Sequence, residues 1–526
     1  MNERVVAAWR VLPDYLSEHV ILSASALALG LAISLPLIVA ALRSGRLRWV
    51  VLAIASLIQT IPSLALLALF YPLLLALSAL SQSLFGQGFS ALGFLPSLLA
   101  LTLYSMLPIV RNGVTAIVNL DPDVIEAARG VGMTDRQRLL HIELPLAAPM
   151  LMAGVRTAAV WVIGTATLST PVGQTSLGNY IFSGLQVENW VSVLFGCAAA
   201  ALLALVVDQL LGLIESGAAR RSMPRIVTGL SLLAAGVLAA AVSQTGSRSA
   251  EYVVGAKSFS EQYILSALMA RRIEAEGGTA AQRVGLGSAV AFRALAAGDL
   301  DVYVDYSGTL WTNVMKRTDV PERAVMLREI GAWLEREHGV LLLGALGFEN
   351  AYALAMRRDV AEGLGIRSID DLALHASRMT IGGDFEFFAR PEWQALRVRY
   401  GLDFARQREF QSTFMYKAVV GREVDVISAF SSDGRIAADD LVVLEDPRQA
   451  IPPYDAVILV ASKRAVDPLL CRALAPLVGA ISVEHMREAN FMVDRDTDKR
   501  TAGEAARWLA QHATLRQDAA RGCAPD

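Results

Sequence analysis

The sequence predicts two domains of different fold class: an all-α domain with several membrane-spanning helices, followed by an α/β domain. Two compositional features support this division. Up to about residue 245 the chain is rich in Leu, Ala and Val and contains no Lys, whereas from Ala250 onward Lys, Arg, Asp and Glu are mixed throughout. The averages over all 526 residues, 54% hydrophobic and 18% charged, conceal the change. We expect a membrane domain at 1–245, a linker at 246–250 and a soluble domain at 251–526.

The first domain contains six apolar segments long enough to cross a bilayer, which needs roughly 20 residues per helix. The second carries Pro62 and Pro72, so we expect either a kinked span or one span with a re-entrant piece. The first apolar segment is not expected to be a cleaved signal peptide, because it starts too late in the chain and has no basic residues directly before it. The predicted spans lie at about 20–42, 49–80, 94–118, 147–169, 190–214 and 226–243.

Arginine residues indicate the orientation of these spans. The first, third and fifth loops carry them, as at Arg46, Arg136 and Arg220, whereas the second and fourth loops contain neither Lys nor Arg. Positive residues favour the cytoplasmic side, so the odd-numbered loops are expected there. Both termini and the soluble domain then face the extracytoplasmic side. Because that space is oxidising, we expect a disulfide between Cys471 and Cys523, with two free thiols as the alternative.

The third loop, at 121–145, is polar and is expected to form a helix-turn-helix along the cytoplasmic face. Asp121 precedes Pro122, a favourable helix start. Glycine at 130 and 132 permits a turn, Thr134 caps a second short helix, and Pro145 is expected to break the chain before the next span. Small side chains would let another protein approach closely. From the residues alone, an ordinary amphipathic interfacial loop remains the alternative.

Here the chain resembles a known family. The third loop is similar to the EAA loop of ABC-importer permeases, and that loop docks into an ATP-binding subunit. The similarity lies in the series Glu-Ala-Ala, three residues, Gly, nine residues and Ile-x-Leu-Pro. The runs at 59–65 and 103–112 resemble permeases of glycine-betaine/carnitine/choline importers. The resemblance implies a type I importer permease. Because one chain has only six spans, a symmetric dimer with two ATPases is the expected assembly. The resemblance also implies that these residues couple to the ATPase: Glu126, Ala127, Ala128, Gly132, Leu144 and Pro145.

The energy source is expected to be a separate polypeptide. The chain has no complete phosphate-binding loop: the run Gly255-Ala256-Lys257-Ser258 lacks the first glycine and lies on the extracytoplasmic side in the predicted topology. ATP hydrolysis would therefore belong to a cytoplasmic ATP-binding-cassette partner. The chain itself is expected to be a transport subunit and not an enzyme.

The soluble domain alternates short apolar strands, such as 252–255, 301–304 and 425–428, with helical patterns. This alternation predicts an α/β fold, and at about 275 residues we expect two lobes around a cleft. Aromatic residues recur near the expected turns. A quaternary ammonium group donates no N–H hydrogen bond and is best held by aromatic faces, although each such residue can equally be a core aromatic. The aromatic residues in question are Phe259, Tyr306, Tyr352, Phe387, Phe388, Phe430 and Tyr454.

The same domain resembles the binding proteins of those importers, which have a type II periplasmic-binding-protein fold. Five motifs, beginning at 255, 305, 347, 430 and 452, carry the resemblance in order along the domain. It implies that an aromatic cage surrounds a trimethylammonium group and that Lys257 and Thr309 face the other end of the ligand. Position 430 departs from the pattern, being Phe where the family usually has Tyr. The implied cage residues are Tyr306, Tyr352, Phe430 and Tyr454.

Two acidic residues, Asp384 and Glu386, are further ligand-binding candidates. They would add negative charge near a cation or bind a polar ligand group; the alternative is that they are surface residues or support others. No nucleophile elbow or metal-ligand cluster accompanies them, so a hydrolase is disfavoured and neither metal nor cofactor is expected. The net charge of −3 and pI near 6.1 give no indication of nucleic-acid binding.

The resemblance implies a permease fused to its substrate-binding protein in a bacterial inner membrane, with the binding domain in the periplasm. The expected ligand is a quaternary ammonium compound such as glycine betaine, choline or carnitine. The chain is also similar to fused ergothioneine importers, and ergothioneine is the alternative ligand. A membrane-tethered sensor is disfavoured because it would need a cytoplasmic signalling domain, which the sequence does not contain.

Overall fold

A computed structural model describes residues 3–86, 88–186, 189–246, 251–384, 386–495 and 497–515. The chain forms two compact units. The first comprises Met1–Leu185 and Asn189–Arg248, and the second comprises Ser249–Asp526 together with the short segment Gln186–Glu188.

The first unit is entirely helical over its described residues. Its core forms where α4 packs against α1 and α7, and where α7 packs against α9. A π-helical turn at Leu139–Glu143 precedes α7, and a 3-10 turn at Thr167–Val172 follows it. The helices are α1 (Glu3–Ala41), α2 (Gly45–Thr60), α3 (Ser63–Phe85), α4 (Phe94–Val118), α5 (Pro122–Gly130), α6 (Asp135–Arg138), α7 (Leu144–Ala166), α8 (Gly178–Gln186), α9 (Trp190–Ala219) and α10 (Met223–Gly246).

Six helices in the described part of the chain are long and apolar enough to cross a membrane, as the sequence predicts. Their bounds differ from the expected ones. The first begins at Ala8, well before residue 20, and the fourth runs as one helical stretch from Asp135 to Val172. Pro145 does not break the chain: it lies in the first turn of α7, directly after the π-helical turn at Leu139–Glu143, where the hydrogen-bond pattern changes.

The predicted span at 49–80 is two helices, α2 and α3, and only α3 is long enough to cross. The break falls at Ile61-Pro62, because proline cannot continue the hydrogen-bond ladder of α2. The Tyr104 hydroxyl of α4 donates a hydrogen bond to the Ile61 carbonyl, which satisfies one backbone group at the break. Pro72 lies within α3 without ending it. The expected interruption is therefore at the first proline and not at the second.

An ion cluster joins α7 to α9 within the apolar unit. The Arg156 guanidinium donates to both carboxylate oxygens of Asp208, at 2.9 and 2.8 Å, and to Glu215 at 2.7 Å. Asp208 and Glu215 are seven residues apart, so both lie on the same face of α9. Gly212 lies between them, and a Cβ there would be 3.2 Å from Arg156 Cζ. Arg156 itself is about 18 Å along α7 from Leu144, well inside the helix.

Arg156→Ala is expected to destabilise the first unit by about 3 kcal/mol, because it leaves two carboxylates without a cation in apolar surroundings. The measurement is thermal unfolding of the full chain in detergent. Thr157→Ala is the neighbouring control: Thr157 is exposed and its hydroxyl bonds only the Ala153 carbonyl, so a change within about 0.5 kcal/mol is expected. An unfolding temperature of the Arg156 variant equal to that of the control would contradict the structural role.

The second unit contains two five-stranded sheets. The first has the strand order β2-β1-β3-β10-β4 and the second β7-β6-β8-β5-β9. The chain leaves the first sheet between β4 and β5 and returns between β9 and β10, so two crossovers join the two lobes. The strands are β1 (Tyr252–Lys257), β2 (Ala280–Leu286), β3 (Val302–Tyr306), β4 (Leu341–Glu349), β5 (Tyr352–Arg357), β6 (Thr380–Asp384), β7 (Arg406–Phe410), β8 (Val426–Phe430), β9 (Leu441–Val443) and β10 (Asp455–Val460).

Twelve helices flank these sheets in the described residues. The strands predicted near 252, 301 and 425 are confirmed as β1, β3 and β8, so the α/β prediction is correct. The helices are α11 (Ser260–Ala275), α12 (Ser288–Ala296), α13 (Ser307–Thr309), α14 (Arg323–His338), α15 (Arg358–Leu364), α16 (Ile369–Ala373), α17 (Pro391–Tyr400), α18 (Ser412–Val420), α19 (Arg435–Ala438), α20 (Pro468–Leu474), α21 (Val483–Asp494) and α22 (Ala502–His512).

The predicted disulfide involves the end of the chain. Cys471 lies in α20, but Cys523 lies outside the described residues, so the bond stays a prediction. Cys197 lies in α9 of the apolar unit and carries a free thiol.

Candidate ligand-binding site and coupling loop

A cavity of about 840 Å³, which includes space open to solvent, lies between the two lobes of the second unit. The segments that follow β1, β2 and β3 of one sheet and β6 and β7 of the other all contribute to it, as expected for open α/β sheets, which bind ligands beyond the carboxyl ends of their strands. All eight predicted ligand-binding residues line this cavity: Lys257, Tyr306, Thr309, Tyr352, Asp384, Glu386, Phe430 and Tyr454.

Five aromatic rings form a continuous wall of the cavity. Phe259 links two of the predicted residues, with its ring centroid 6.1 Å from Tyr306 and 6.3 Å from Phe430. Tyr352 continues the wall, 5.1 Å from Phe430 and 6.1 Å from Tyr454. The rings of Tyr306, Tyr352 and Tyr454 are almost completely buried. The wall therefore offers several π faces to one ligand group.

The basic residues of the cavity already face carboxylates. Lys257 Nζ lies 2.5 Å from Asp305 Oδ1, in an ion pair buried on both sides. Arg390 donates from Nη1 to Glu386 Oε2 at 2.9 Å and from Nη2 to Thr309 Oγ1 at 3.1 Å. The second of these bonds joins one lobe to the other. Lys257 and Arg390 are therefore each paired with a carboxylate of the protein in the absence of a ligand.

Asp384 presents an unused acceptor at the cavity. Its Oδ1 accepts hydrogen bonds from the backbone N–H groups of Glu386, at 2.9 Å, and Phe387, at 3.2 Å. Its Oδ2 is buried and has no hydrogen-bond partner among the described residues. Burial raises the pKa of the Asp384 carboxyl above its ordinary value, and the Glu386 N–H partly opposes this shift. Asp384 is therefore equipped to hydrogen-bond a polar ligand group.

Gly308 allows the close approach of Tyr454. A Cβ at Gly308 would lie 2.3 Å from Cε2 of that ring, a distance that requires the ring to move. Gly308→Ala is therefore expected to displace Tyr454 and weaken ligand binding about tenfold. Gly287→Ala is the control: it lies between the cavity residues Leu286 and Ser288, and nothing is within 4 Å of its Cβ position. Calorimetric titration of both variants distinguishes them; equal affinities would contradict the packing argument.

Two important cavity residues, Arg390 and Phe259, are not among the ligand-binding residues that the sequence implies. Arg390 is buried and lies over the Tyr352 ring, 5.0 Å from its centroid. Phe259 was considered only as one aromatic among several. The one local signal for Arg390 is that it precedes Pro391, which places it at the start of α17. Nothing local indicates that this helix begins at the cavity, 81 residues beyond the Thr309 that Arg390 contacts.

The predicted coupling residues lie on one stretch of the first unit. Asp121 accepts a hydrogen bond from the Asp123 N–H and starts α5, and Thr134 forms a capping box with Gln137 at the start of α6, as the sequence predicts. Gly132 has a φ of 81°, in the left-handed region, and connects the two helices.

This stretch presents an open surface. Glu126, Ala127 and Pro145 are exposed, Leu144 is half-buried, and Ala128 is buried. Val131 is 76% exposed, although it is apolar, and the space around Gly132 is empty. Small and apolar residues on an exposed loop are the features of a protein docking surface.

Each of the two units matches a known protein family. Residues 32–220 match the family described as the inner membrane component of binding-protein-dependent transport systems. Residues 250–511 match the substrate-binding domain of ABC-type glycine betaine transport systems. Both are transport families and not enzyme families.

Individual relatives cover either the whole chain or one unit. An ergothioneine transport permease/ergothioneine binding protein of Helicobacter pylori is 29% identical, over 86% of this chain and 81% of its own length. A choline transport system permease protein of Bacillus subtilis is 36% identical, over 40% of this chain and 89% of its own length. A crystal structure of a glycine betaine/carnitine/choline ABC transporter is 27% identical and covers 50% of this chain and 98% of that chain, with a TM-score of 0.44.

The described helices of the first unit are apolar enough to cross a membrane, and the relatives of that unit are permeases. A permease of this family lies in the inner membrane and works with an ATP-binding partner. The binding domain lies on the other side of that membrane. The chain therefore belongs to the ABC importers of the glycine betaine, carnitine and choline family, as a permease joined in one polypeptide to a substrate-binding domain.

Proposed function

We propose that this chain is the transmembrane and substrate-binding subunit of an ATP-driven importer for quaternary ammonium compounds such as glycine betaine, choline or carnitine. The observation that carries the proposal is the wall of five rings around one cavity. Such a wall attracts a trimethylammonium group by cation–π interaction and needs no hydrogen-bond donor from it. The match to glycine betaine binding domains supports the same ligand class.

Each end of the ligand has an assigned set of residues in this proposal. The rings of Tyr306, Tyr352, Phe430 and Tyr454 surround the trimethylammonium group. Thr309, Lys257 and Arg390 bind the polar end. Lys257 and Arg390 are each paired with a carboxylate of the protein, so they offer a ligand carboxylate the N–H groups that these ion pairs leave free. Asp384 accepts a hydrogen bond from a ligand hydroxyl or N–H group, and Glu386 holds Arg390 in position.

Ergothioneine is the second candidate ligand. The relative in Helicobacter pylori that matches both units carries that compound in its name. Ergothioneine also combines a trimethylammonium group with a carboxylate and adds N–H donors, for which the unused Asp384 oxygen is a suitable acceptor.

The assembly that we propose is a permease homodimer with two copies of a cytoplasmic ATP-binding-cassette ATPase. The ATPase would contact the loop at 121–145 through Glu126, Ala127, Ala128 and Gly132, and motion there would reach α7 through Leu144 and Pro145. The arginine distribution supports a cytoplasmic position for that loop and a periplasmic position for the domain at 251–526.

The test is calorimetric titration of the purified full chain with glycine betaine, choline, carnitine, proline betaine and ergothioneine. Saturable binding of at least one of the first four is expected. Binding of ergothioneine alone would favour the second candidate. Absence of binding by all five compounds, in protein that unfolds cooperatively on heating, would refute the cage.

A further inference from the structure

A buried carboxylate, Glu261, lies directly behind the aromatic wall. It belongs to the first turn of α11 and is 2% exposed. Its Oε1 accepts hydrogen bonds from the Tyr306 hydroxyl at 2.6 Å and from Asn350 Nδ2 at 3.1 Å. Its Oε2 accepts hydrogen bonds from the Ser432 hydroxyl at 2.6 Å and from Asn490 Nδ2 at 3.0 Å.

These four contacts suit an ionised carboxylate, because each neighbour is a donor and an ionised carboxylate only accepts. The pKa of Glu261 is raised, because the effect of burial exceeds that of the hydrogen bonds from Ser432, Tyr306, Asn490 and Asn350, each of which lowers it. Among the described residues, no Lys or Arg forms an ion pair with Glu261. The ionised form of Glu261 is therefore stabilised by four hydrogen-bond donors and not by an ion pair.

This charge acts on the cavity through Tyr306. A phenol hydroxyl that donates a hydrogen bond to a carboxylate gains some phenolate character. This makes the face of the ring more negative. The carboxylate, bonded to the hydroxyl of Tyr306, also attracts a cation held against that ring, and burial of Tyr306 and Glu261 keeps water from screening this attraction. Both effects stabilise a positively charged ligand and leave a neutral ligand of the same shape nearly unaffected.

The other tyrosine of the aromatic wall that bonds a carboxylate, Tyr454, differs in this respect. The Tyr454 hydroxyl donates to Glu392, but Glu392 Oε2 also lies 3.5 Å from Nε of Arg390. The charge of Glu392 is thus offset by a cation that itself lines the cavity. Of the two carboxylates, only Glu261 lacks an ion pair among the described residues. Lys257 Nζ lies 5.3 Å from the centroid of the Tyr306 ring, but its charge is paired with Asp305.

We propose that Glu261 is a specificity-determining residue that sets the preference of the cavity for a cation over a neutral ligand of equal shape, and that it acts through the Tyr306 ring. The inference rests on the proposed function, because it requires a trimethylammonium group against that ring. Glu261 does not contact the ligand; it is a positioning and charge-bearing residue behind the ligand's wall.

The experiment compares wild-type full chain with Glu261→Gln, using choline and its neutral carbon isostere 3,3-dimethylbutan-1-ol, and glycine betaine and 3,3-dimethylbutanoate. Glutamine keeps the size of the side chain and an acceptor for Tyr306. We expect binding of the quaternary ammonium compound to weaken about tenfold, and binding of its carbon isostere to change less than about twofold. Affinities come from calorimetry, with competition for the weaker isosteres.

Two further variants separate charge from structure. Ser432→Ala removes one donor to Glu261 but keeps its charge, and should preserve the ratio between cation and isostere. Tyr306→Phe removes the hydroxyl that links the ring to Glu261. In the double variant with Glu261→Gln, the loss of affinity for the cation should therefore be smaller than the sum of the two single losses. Equal losses for cation and isostere in Glu261→Gln, or no loss for either, would overturn the inference. Wild-type protein that binds neither cation would refute the proposed function and this inference with it.

Discussion

Gly132→Asp is expected to abolish ligand uptake and the stimulation of ATP hydrolysis by ligand, while ligand binding by the second unit stays within twofold of wild type. Gly132 lies at the exposed turn between α5 and α6, and its φ of 81° favours glycine. Aspartate there adds a side chain and a charge where the ATPase would approach, and the turn itself is strained by about 1 kcal/mol. The readouts are uptake, ATPase activity and calorimetric affinity.

The matched control for this prediction is Gly45→Asp. Gly45 is also exposed, also has nothing within 4 Å of its Cβ position, and starts α2 in the first predicted cytoplasmic loop. An acidic residue at the start of a helix is favourable, so near-normal uptake is expected from this variant. Normal, ligand-stimulated ATP hydrolysis by Gly132→Asp would show that the loop at 121–145 does not couple the two proteins.

Tyr352→Ala is expected to weaken binding of the quaternary ammonium ligand about 30-fold or more. The Tyr352 ring is buried and joins Phe430 to Tyr454 in the aromatic wall, so its loss removes a π face and admits water to the cavity. Calorimetric titration of the full chain gives the affinity.

Tyr352→Phe is the control, because it keeps the ring and removes only the hydroxyl. We expect it to bind within about threefold of wild type. If the alanine variant bound as tightly as the phenylalanine variant, the ligand would not lie against this ring. A thermal unfolding curve for each variant separates loss of the site from loss of the fold.

Local signals in the sequence predicted much of the fold. Hydropathy located the apolar helices, and the caps at Asp121 and Thr134 marked where α5 and α6 begin. The predicted helix bounds fail at prolines, because a proline in an apolar segment can have more than one effect on a helix. Pro62 ends a helix, Pro72 is accommodated inside one, and Pro145 lies in a first turn directly after a π-helical turn. Hydropathy alone does not distinguish these outcomes.

The candidate site was predicted better for its aromatic residues than for its charges. Tyr306 and Phe430 end β3 and β8, whereas Tyr352 begins β5 and Tyr454 directly precedes β10. Because β5 and β10 run antiparallel to β8 and β3, the starts of one pair of strands lie beside the ends of the other. Ion pairs, in contrast, depend on side chains far apart in sequence: Lys257 pairs with Asp305, 48 residues later, and Arg390 reaches Thr309 across the cleft. Neither spacing has a local signature, so these contacts were not foreseen.

The most direct test of the central claim is uptake of radiolabelled glycine betaine, choline and carnitine by native host cells that lack this chain and are then complemented with it. We predict that the wild-type chain restores energy-dependent uptake of at least one of these compounds, and that the Tyr352→Ala and Gly132→Asp variants, present in the membrane at the same level, do not. Uptake no greater than that of the deletion strain for every compound, with the wild-type chain present in the membrane, would contradict the account.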